Sequence, residues 1–387
     1  MRTFAILGAV VLALVSTTAC SKKDDKSKDK KQTPATAKAA TTPKQPDQPK
    51  AVEPKATTPK AVTPKPDGYH TVTPGLIVKD VDAALAFYTD ILGAEKVMSL
   101  PGPDGKTMHV EMKIGDSRVM VSVELPGMSK SAETLGGSAG SLLVYVKDVD
   151  AVVAKAEAAK AKVLMPVADQ FWGDRWGMVA DPFGHVWGIA THTKVVPPEK
   201  MAELAKASFT KEKMEIPGTP AKHWQPERMT TVVPSLHLAD HDAALAFYEQ
   251  GLGAKQVSKM MMSDGKALMH AEVMLGDSVI MFSGEIPEMG SKSPKTLGGS
   301  PMSLYVYSDD VDKAHAKAVA QKGVAKQPVM DQPWGDRTGS VVDPSGHEWM
   351  LATNKEKLTP EEISKRMMDA MAKMGAEGQG QPPEAKK

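Results

Sequence analysis

This sequence predicts an α+β protein of two tandem domains, each a pair of βαβββ units, and three observations carry that reading. The chain repeats itself. Asp82-Ala83-Ala84-Leu85-Ala86-Phe87-Tyr88 returns unchanged from Asp242 to Tyr248. Gly115-Asp116-Ser117, Thr134 to Ser138 and Trp172-Gly173-Asp174-Arg175 return at Gly276, Thr296 and Trp334, with the offset moving only from 160 to 162. Such self-similarity marks a duplicated domain. A finer repeat lies inside the first copy, where Val78-Lys79-Asp80-Val81-Asp82-Ala83 recurs as Val146-Lys147-Asp148-Val149-Asp150-Ala151. Each copy of that motif follows a short apolar run and leads into an Ala-rich helical stretch, with its first Asp placed to cap the helix. Short strand-like runs come next, such as Met108 to Ile114 and Arg118 to Val123, parted by the turn residues Gly115-Asp116. Strand, helix and hairpin-linked strands make one unit, and the chain holds four.

The elements follow in order. Residues 1–19 read as a signal peptide: Met-Arg precedes an apolar run from Phe4 to Val15, the length of a signal core and too short for a mature membrane span. Cys20, the only cysteine, follows Thr17-Thr18-Ala19, which resembles a lipobox, so lipidation of Cys20 and attachment to the bacterial cell envelope are expected. Thr17 stands where lipoboxes favour Leu, and plain cleavage after Ala19, leaving a periplasmic or secreted protein, is the alternative. Residues 20–68 form a tether: between Ser21 and Gly68 there are 12 Lys against 6 acidic residues, eight prolines and almost no large apolar side chain. A segment of that kind has too little surface to bury to offset its ordering entropy. The first domain occupies 69–194, a helix and linker 195–228, the second domain 229–355, a C-terminal helix 356–375 and a disordered tail 376–387. In the C-terminal helix Thr359 is placed as N-cap, Pro360 as first helical residue and Glu362 as the far side of a capping box. A formal charge of +1 over 387 residues argues against a nucleic-acid partner.

The wording of the motifs points to a family. A strand entering Val-x-Asp, a helix ending in Phe87-Tyr88, and Asp181-Pro182-Phe183-Gly184-His185-Val186-Trp187 resemble the glyoxalase/bleomycin-resistance, or vicinal-oxygen-chelate (VOC), superfamily. Val72 to Val78, Met108 to Glu111 and Phe171 to Arg175 are similar to its PhnB-like branch. The resemblance implies a curved sheet with a cleft in each domain, and pairing of the two domains as an intramolecular pseudo-dimer.

It also implies four metal-ligand positions per domain. Carried over to this chain they are Thr73, Val121, Ser141 and Gly188 in the first copy, and Val233, Phe282, Ser303 and Met350 in the second. None is His, Glu, Asp, Gln or Cys, so no cofactor is predicted. A divalent metal enters only under an alternative reading with atypical ligands.

Other residues offer binding chemistry. His109 and Glu111, with His270 and Glu272 as their copies, are two apart and share a strand face. Such a couple suits a general base with its orienting carboxylate, half a metal site, or a plain cross-strand polar pair. Trp172 and Arg175, repeated as Trp334 and Arg337, offer a stacking wall and a planar fork for an anion, unless Asp174 and Asp336 neutralise the arginines and pin the turn. His237 shares a face with Val233 and either enters the second cleft or is an ordinary satisfied histidine. His185 and His347 read as turn residues, and Met260-Met261-Met262 as core filler or an adaptable apolar surface. The expectation is an exported, envelope-anchored protein that binds an unidentified small molecule without a catalytic metal. A metal-dependent lyase, isomerase or dioxygenase and an interaction scaffold are the alternatives.

Overall fold

The computed structural model describes residues 62–102, 104–208, 215–262, 265–287 and 290–377. The signal segment, Cys20, most of the tether and the tail from residue 378 lie outside these residues.

The first repeat runs β1 (Val72–Val78), α1 (Val81–Leu92), β2 (Glu95–Pro101), β3 (Thr107–Ile114), β4 (Ser117–Val123), α2 (Ala132–Leu135), β5 (Gly140–Tyr145), α3 (Val149–Ala158), β6 (Lys162–Asp169), β7 (Asp174–Ala180) and β8 (Val186–His192). A connector of β9 (Lys194–Val195), α4 (Met201–Ala207) and β10 (Thr219–Pro220) follows. The second repeat runs β11 (Val232–Leu238), α5 (His241–Phe247), β12 (Lys255–Met261), β13 (Leu268–Leu275), β14 (Ser278–Gly284), α6 (Pro294–Leu297), β15 (Met302–Tyr307), α7 (Val311–Ala320), β16 (Val324–Asp331), β17 (Asp336–Val342) and β18 (Glu348–Asn354), and α8 (Pro360–Glu377) ends it.

The repeated Asp residues explain why the helices begin where they do. Asp80, Asp148, Asp240 and Asp310 hold extended backbone, and each side chain accepts from the backbone N–H three residues on. Helix α1 stops at Gly93, whose left-handed φ of 65° costs a glycine little. At α8, Thr359 and Glu362 exchange side-chain and backbone hydrogen bonds at 2.8 and 3.2 Å, closing the expected capping box.

The fold class is the one the sequence predicts: two curved eight-stranded mixed sheets, each built from a pair of βαβββ units. The choice of partners is different. Sequence reading paired the units within each repeat, whereas the sheets pair them across the repeats. Sheet I has the order β16-β17-β18-β15-β1-β4-β3-β2 and joins the first unit to the fourth; sheet II, β12-β13-β14-β11-β5-β8-β7-β6, joins the second to the third. The seams are antiparallel, β1 against β15 and β11 against β5.

Each repeat still supplies most of one hydrophobic core on the helix side, with Val232 and Met302 joining the first and Val72 the second. One cluster gathers Leu76, Tyr88, Val121, Leu142, Val153 and Trp187 from both units of the first repeat. Its counterpart gathers Leu236, Tyr248, Phe282, Leu304, Val341 and Trp349. The Asp-Pro-x-Gly-His-x-Trp motif pins that core. Asp181 accepts from the N–H of Phe183 and His185, from the Tyr88 hydroxyl at 2.7 Å and from the Trp187 indole at 3.0 Å. Asp343 repeats the arrangement with Tyr248 and Trp349. Without either carboxylate a buried hydroxyl and indole N–H would stand unpaired, at about 1–3 kcal/mol each. His185 and His347 close the link, their Nε2 atoms meeting the Ile77 and His237 carbonyls at 2.9 and 2.8 Å. They are buried turn residues.

The Gly-Asp-Ser turns clasp one repeat to the other. Asp116 and Ser117 accept from the N–H groups of Thr231 and Val232 at 2.7 and 2.9 Å, and Asp277 and Ser278 from those of Thr71 and Val72 at 2.6 and 3.0 Å. Gly115 and Gly276 have φ of 60°, and a Cβ on either would collide with the threonine beside it. The two repeats therefore form an intramolecular pseudo-dimer in which every sheet needs both halves.

Candidate functional site

Strand alternation sends one set of side chains into the helix-side cores and the other onto the opposite, concave face of each sheet. Six of the eight expected metal-ligand positions lie on that face: Thr73, Ser303 and Met350 on sheet I, and Val233, Ser141 and Gly188 on sheet II. Val121 and Phe282 do not. Both are fully buried in the helix-side cores. A one-residue shift reverses the face, so Met120 and Ser122 on β4, and Met281 and Ser283 on β14, are the concave neighbours. The corrected set still offers hydroxyl, thioether, aliphatic and glycine positions. This donor set does not fit a catalytic divalent metal, which calls for imidazole and carboxylate groups. Among the described residues no three His, Cys, Asp or Glu side chains are grouped to hold one.

Cross-pairing also decides which candidates meet. His109 and Glu111 share cleft I with Trp334; His237, His270 and Glu272 share cleft II with Trp172. The two His-Glu couples are on different sheets and cannot converge.

Cleft I is a tyrosine-lined, hydrogen-bonded surface. The Tyr69 hydroxyl donates to Glu111. Tyr305 and Tyr307 both donate to Asp336 Oδ2, at 2.6 and 3.1 Å, while Asn354 donates to Asp336 Oδ1 at 2.9 Å. The Trp334 indole donates to the Tyr305 hydroxyl at 3.2 Å. Arg118 stacks over the Tyr69 ring, 5.2 Å from its centroid. His109 Nδ1 lies 2.8 Å from Ser122 Oγ, and burial drives this imidazole down to about 4. Burial likewise raises the Glu111 carboxyl, against the Tyr69 hydrogen bond and the Arg118 charge.

Cleft II differs at the same backbone positions. Arg228 forks onto Glu272 at 2.6 and 3.1 Å, and His270 Nε2 lies 3.3 Å from the same carboxylate. Burial alone would raise Glu272, but these two partners outweigh it and hold it at about 2. His237 Nδ1 lies 2.9 Å from Ser283 Oγ, and burial drives it to about 4. Asp174 gathers the Tyr145 hydroxyl and Trp172 indole at 3.1 Å each and His192 Nδ1 at 2.7 Å. The remaining space is apolar: Leu143, Ala190, Met229, Val233 and Val279 cluster with Trp176, Trp224, Met274 and Met281. A Cβ on Gly188 would fall 2.8 Å from the Trp176 indole nitrogen, so Trp176 occupies the place over the fourth expected ligand position.

Arg175 and Arg337 belong to neither cleft. Arg175 grips Asp150 through Nε and Nη2 at 2.6 Å each and Asp169 at 3.3 Å; Arg337 grips Asp312 and Asp331 in the same way. Their sequence neighbours Asp174 and Asp336 point to the other face of the strand and serve the clefts. Sequence reasoning missed Tyr69, Arg118, Tyr145, Arg228, Tyr305 and Tyr307. Tyr145 and Tyr307 carried a signal, since they stand 162 apart like the rest of the repeat; Arg118 and Arg228 are not repeated and had none.

The helix after the first repeat packs at cleft II. Leu204 and Ala205 of α4 join Phe171, Trp172, Met260 and Met269, which come from both wings of sheet II. Met260 is thus core filler beneath that helix. Its repeat counterpart, α8, leaves β18 on one half of sheet I and contacts β2 at the far edge of the other.

The whole arrangement matches one family. The family model of the Glyoxalase/Bleomycin resistance protein/Dioxygenase superfamily fits residues 69–189 and 234–351, and the chain belongs to that superfamily. An uncharacterized protein of Mycobacterium tuberculosis is 38% identical over 129 residues, covering 32% of this chain and 76% of the relative. CFP32 of the same species, provisionally named a glyoxylase, is 24% identical over 284 residues, 72% of this chain and 93% of its own. Among solved structures, glyoxalase I from Zea mays is similar at 15% identity with a TM-score of 0.49, over 77% of this chain and 95% of that one.

Proposed function

We propose that this protein is an exported, lipid-anchored binder of a small molecule, held in a VOC cleft without a catalytic metal. The observation that carries this reading is the concave donor set. Where a metal-dependent relative would need imidazoles and carboxylates, the two sheets present Thr73, Met120, Ser303 and Met350, and Val233, Met281, Ser141 and Gly188. The atypical-ligand enzyme is disfavoured because His109 and Glu111 are a sheet away from His270 and Glu272, and Glu272 is already paired with Arg228. Cleft II, filled by Trp176 and its apolar neighbours, fits a structural role. Cleft I is the place for a ligand.

Export and anchoring rest on the Phe4 to Val15 run and the Thr17-Thr18-Ala19-Cys20 sequence. No helix among the described residues is long and apolar enough to cross a membrane. Native mass spectrometry of protein taken from its own envelope tests both halves. The expected masses are a diacylated chain starting at Cys20 and a non-covalent organic adduct that leaves on denaturation. Stoichiometric, tightly held zinc, nickel, manganese or iron would overturn the metal-free reading. A Cys20→Ala variant that fractionates with membranes as before would overturn the anchor.

A further inference from the structure

Cleft I contains polar groups that the protein itself does not satisfy. Nε and Nη1 of Arg118 are buried and have no hydrogen-bond partner, and the same holds for Thr73 Oγ1 and Ser340 Oγ. Thr73 is 1% exposed and Ser340 is 0%. These three residues lie in one row across the sheet. Thr73 and Arg118 each precede by two residues the paired positions Gly75 and Met120 of neighbouring strands. Thr73 pairs with Tyr305, Tyr305 with Met350, and Met350 with Ser340. Adjacent strands are spaced about 4.8 Å, and continuing the β1–β4 register by two residues puts Thr73 and Arg118 at neighbouring positions on one face.

Two buried guanidinium nitrogens without acceptors carry a desolvation cost that stacking on Tyr69 only partly offsets, and buried donors are ordinarily paired in folded proteins. The carboxylate nearest at hand does not pair with this guanidinium: Glu111 is bonded by the Tyr69 hydroxyl and makes no ion pair with Arg118 among the described residues. Asp336, in the other wing of the cleft, is taken up by Tyr305, Tyr307 and Asn354. Cleft II shows the contrast. There the residue matching Arg118 is Val279, and the arginine present, Arg228, is already forked onto Glu272.

We propose that cleft I binds a small organic carboxylate, its anionic group received by Arg118 and the Thr73 hydroxyl and its apolar body lying along the rings of Tyr69, Tyr305 and Tyr307. This rests on the small-molecule reading given above and names the ligand class. A planar carboxylate matches a guanidinium edge, and aromatic walls take an apolar body at little cost in ordering. Burial of Glu111, which shifts its carboxyl toward the neutral form, lessens its repulsion of such an anion.

Titration calorimetry of the purified chain with benzoate, its uncharged counterpart benzamide, and inorganic phosphate tests the assignment. Benzoate is expected to bind at one site per chain, benzamide at least roughly tenfold more weakly, and phosphate not to compete. Arg118→Met should abolish benzoate binding, and Arg118→Lys should weaken it while keeping the charge. Melting of the unliganded variants guards against a folding artefact: Arg118 is held by its stacking on Tyr69 and not by hydrogen bonds from Nε or Nη1, so Arg118→Met, which keeps an apolar chain against that ring, should melt close to the parent. A large loss of stability in Arg118→Met without ligand would show Arg118 to be a structural residue and overturn the proposal. Benzamide binding as well as benzoate would overturn the anion and leave the cleft reading standing. Phosphate competing equally would replace the carboxylate with a tetrahedral oxyanion. Binding by none of the three would refute the site.

Discussion

Glu111 and Glu272 occupy the same place in two sheets of the same design, yet one carboxyl is raised by burial and the other is held at about 2. The difference comes from three exchanges around them. Gly68 of the first repeat becomes Arg228 in the second, Tyr69 becomes Met229, and Arg118 becomes Val279. In cleft II the arginine moves onto the glutamate and closes a salt bridge, and the vacated wall turns apolar. In cleft I the arginine stays one strand away, the glutamate takes a tyrosine instead, and the cation is left for something else. The duplicated frame is constant, then, while a few side chains above the sheet decide whether a cleft is self-satisfied or waiting for a partner.

If the frame is shared, damage to it should not distinguish the two halves. Gly115→Ala and Gly276→Ala each put a Cβ at φ of 60° against a threonine of the opposite repeat. Left-handed strain and overlap together should cost about 4 kcal/mol in either variant, read as a lower urea midpoint. A large inequality between the two would break the assumption of equivalent clasps.

Acid should also strike both halves alike at first. His109 and His237 are held near 4 by burial, against an ordinary value of 6.5. Their folded values lie below the unfolded one, so the unfolded chain takes up protons first. Stability is therefore full above about pH 6.5 and falls until about pH 4, by roughly 3 kcal/mol per histidine. Urea titrations at pH 7 and pH 4.5 should show this loss, and His109→Asn or His237→Asn should each remove about half of it.

The glutamates are where the clefts must part. Glu272 has a lowered value, so its contribution is present above its unfolded value near 4.5 and fades as the pH falls toward 2. Burial raises Glu111, so ionising it in the folded chain is penalised, and that penalty grows as the pH rises past its unfolded value. At pH 7, Glu272→Gln should destabilise by about 2 kcal/mol, allowing for the partial exposure of Arg228, whereas Glu111→Gln should stay within about 0.5 kcal/mol of the parent or stabilise it. Equal losses in the two variants would erase the contrast on which the cleft I assignment depends.

Much of the frame was legible because it is local. Asp80 and its three counterparts announce helix starts, Gly115 and Gly276 announce hairpins, and the Asp-Pro-x-Gly-His-x-Trp segments announce the last strand of each repeat. The exchange of units between sheets was not legible, because β1, β5, β11 and β15 are similar apolar strands and nothing local says which two meet at a seam. The placement of Val121 and Phe282 failed by a single residue, enough to turn a side chain from cleft to core. The key features of cleft I were hidden for a different reason: Arg118 acquires meaning only through the partners it lacks, and a missing hydrogen bond leaves no trace in a sequence.

Arg175 and Arg337 offer the mildest test and a check on how motifs are read. Their Trp-Gly-Asp-Arg setting invited an anion site, but strand parity sends each arginine away from its cleft and onto aspartates of the neighbouring helix start and strand end. Their partners are exposed, and an ion pair in water contributes little. Arg175→Met and Arg337→Met should therefore leave benzoate binding at the parental value and shift the melting temperature no more than an ordinary surface substitution. If either variant instead lost the ligand, the anion-receiving residue would lie on the helix side of the sheet, and Arg118 would lose its claim to be the site that duplication left open.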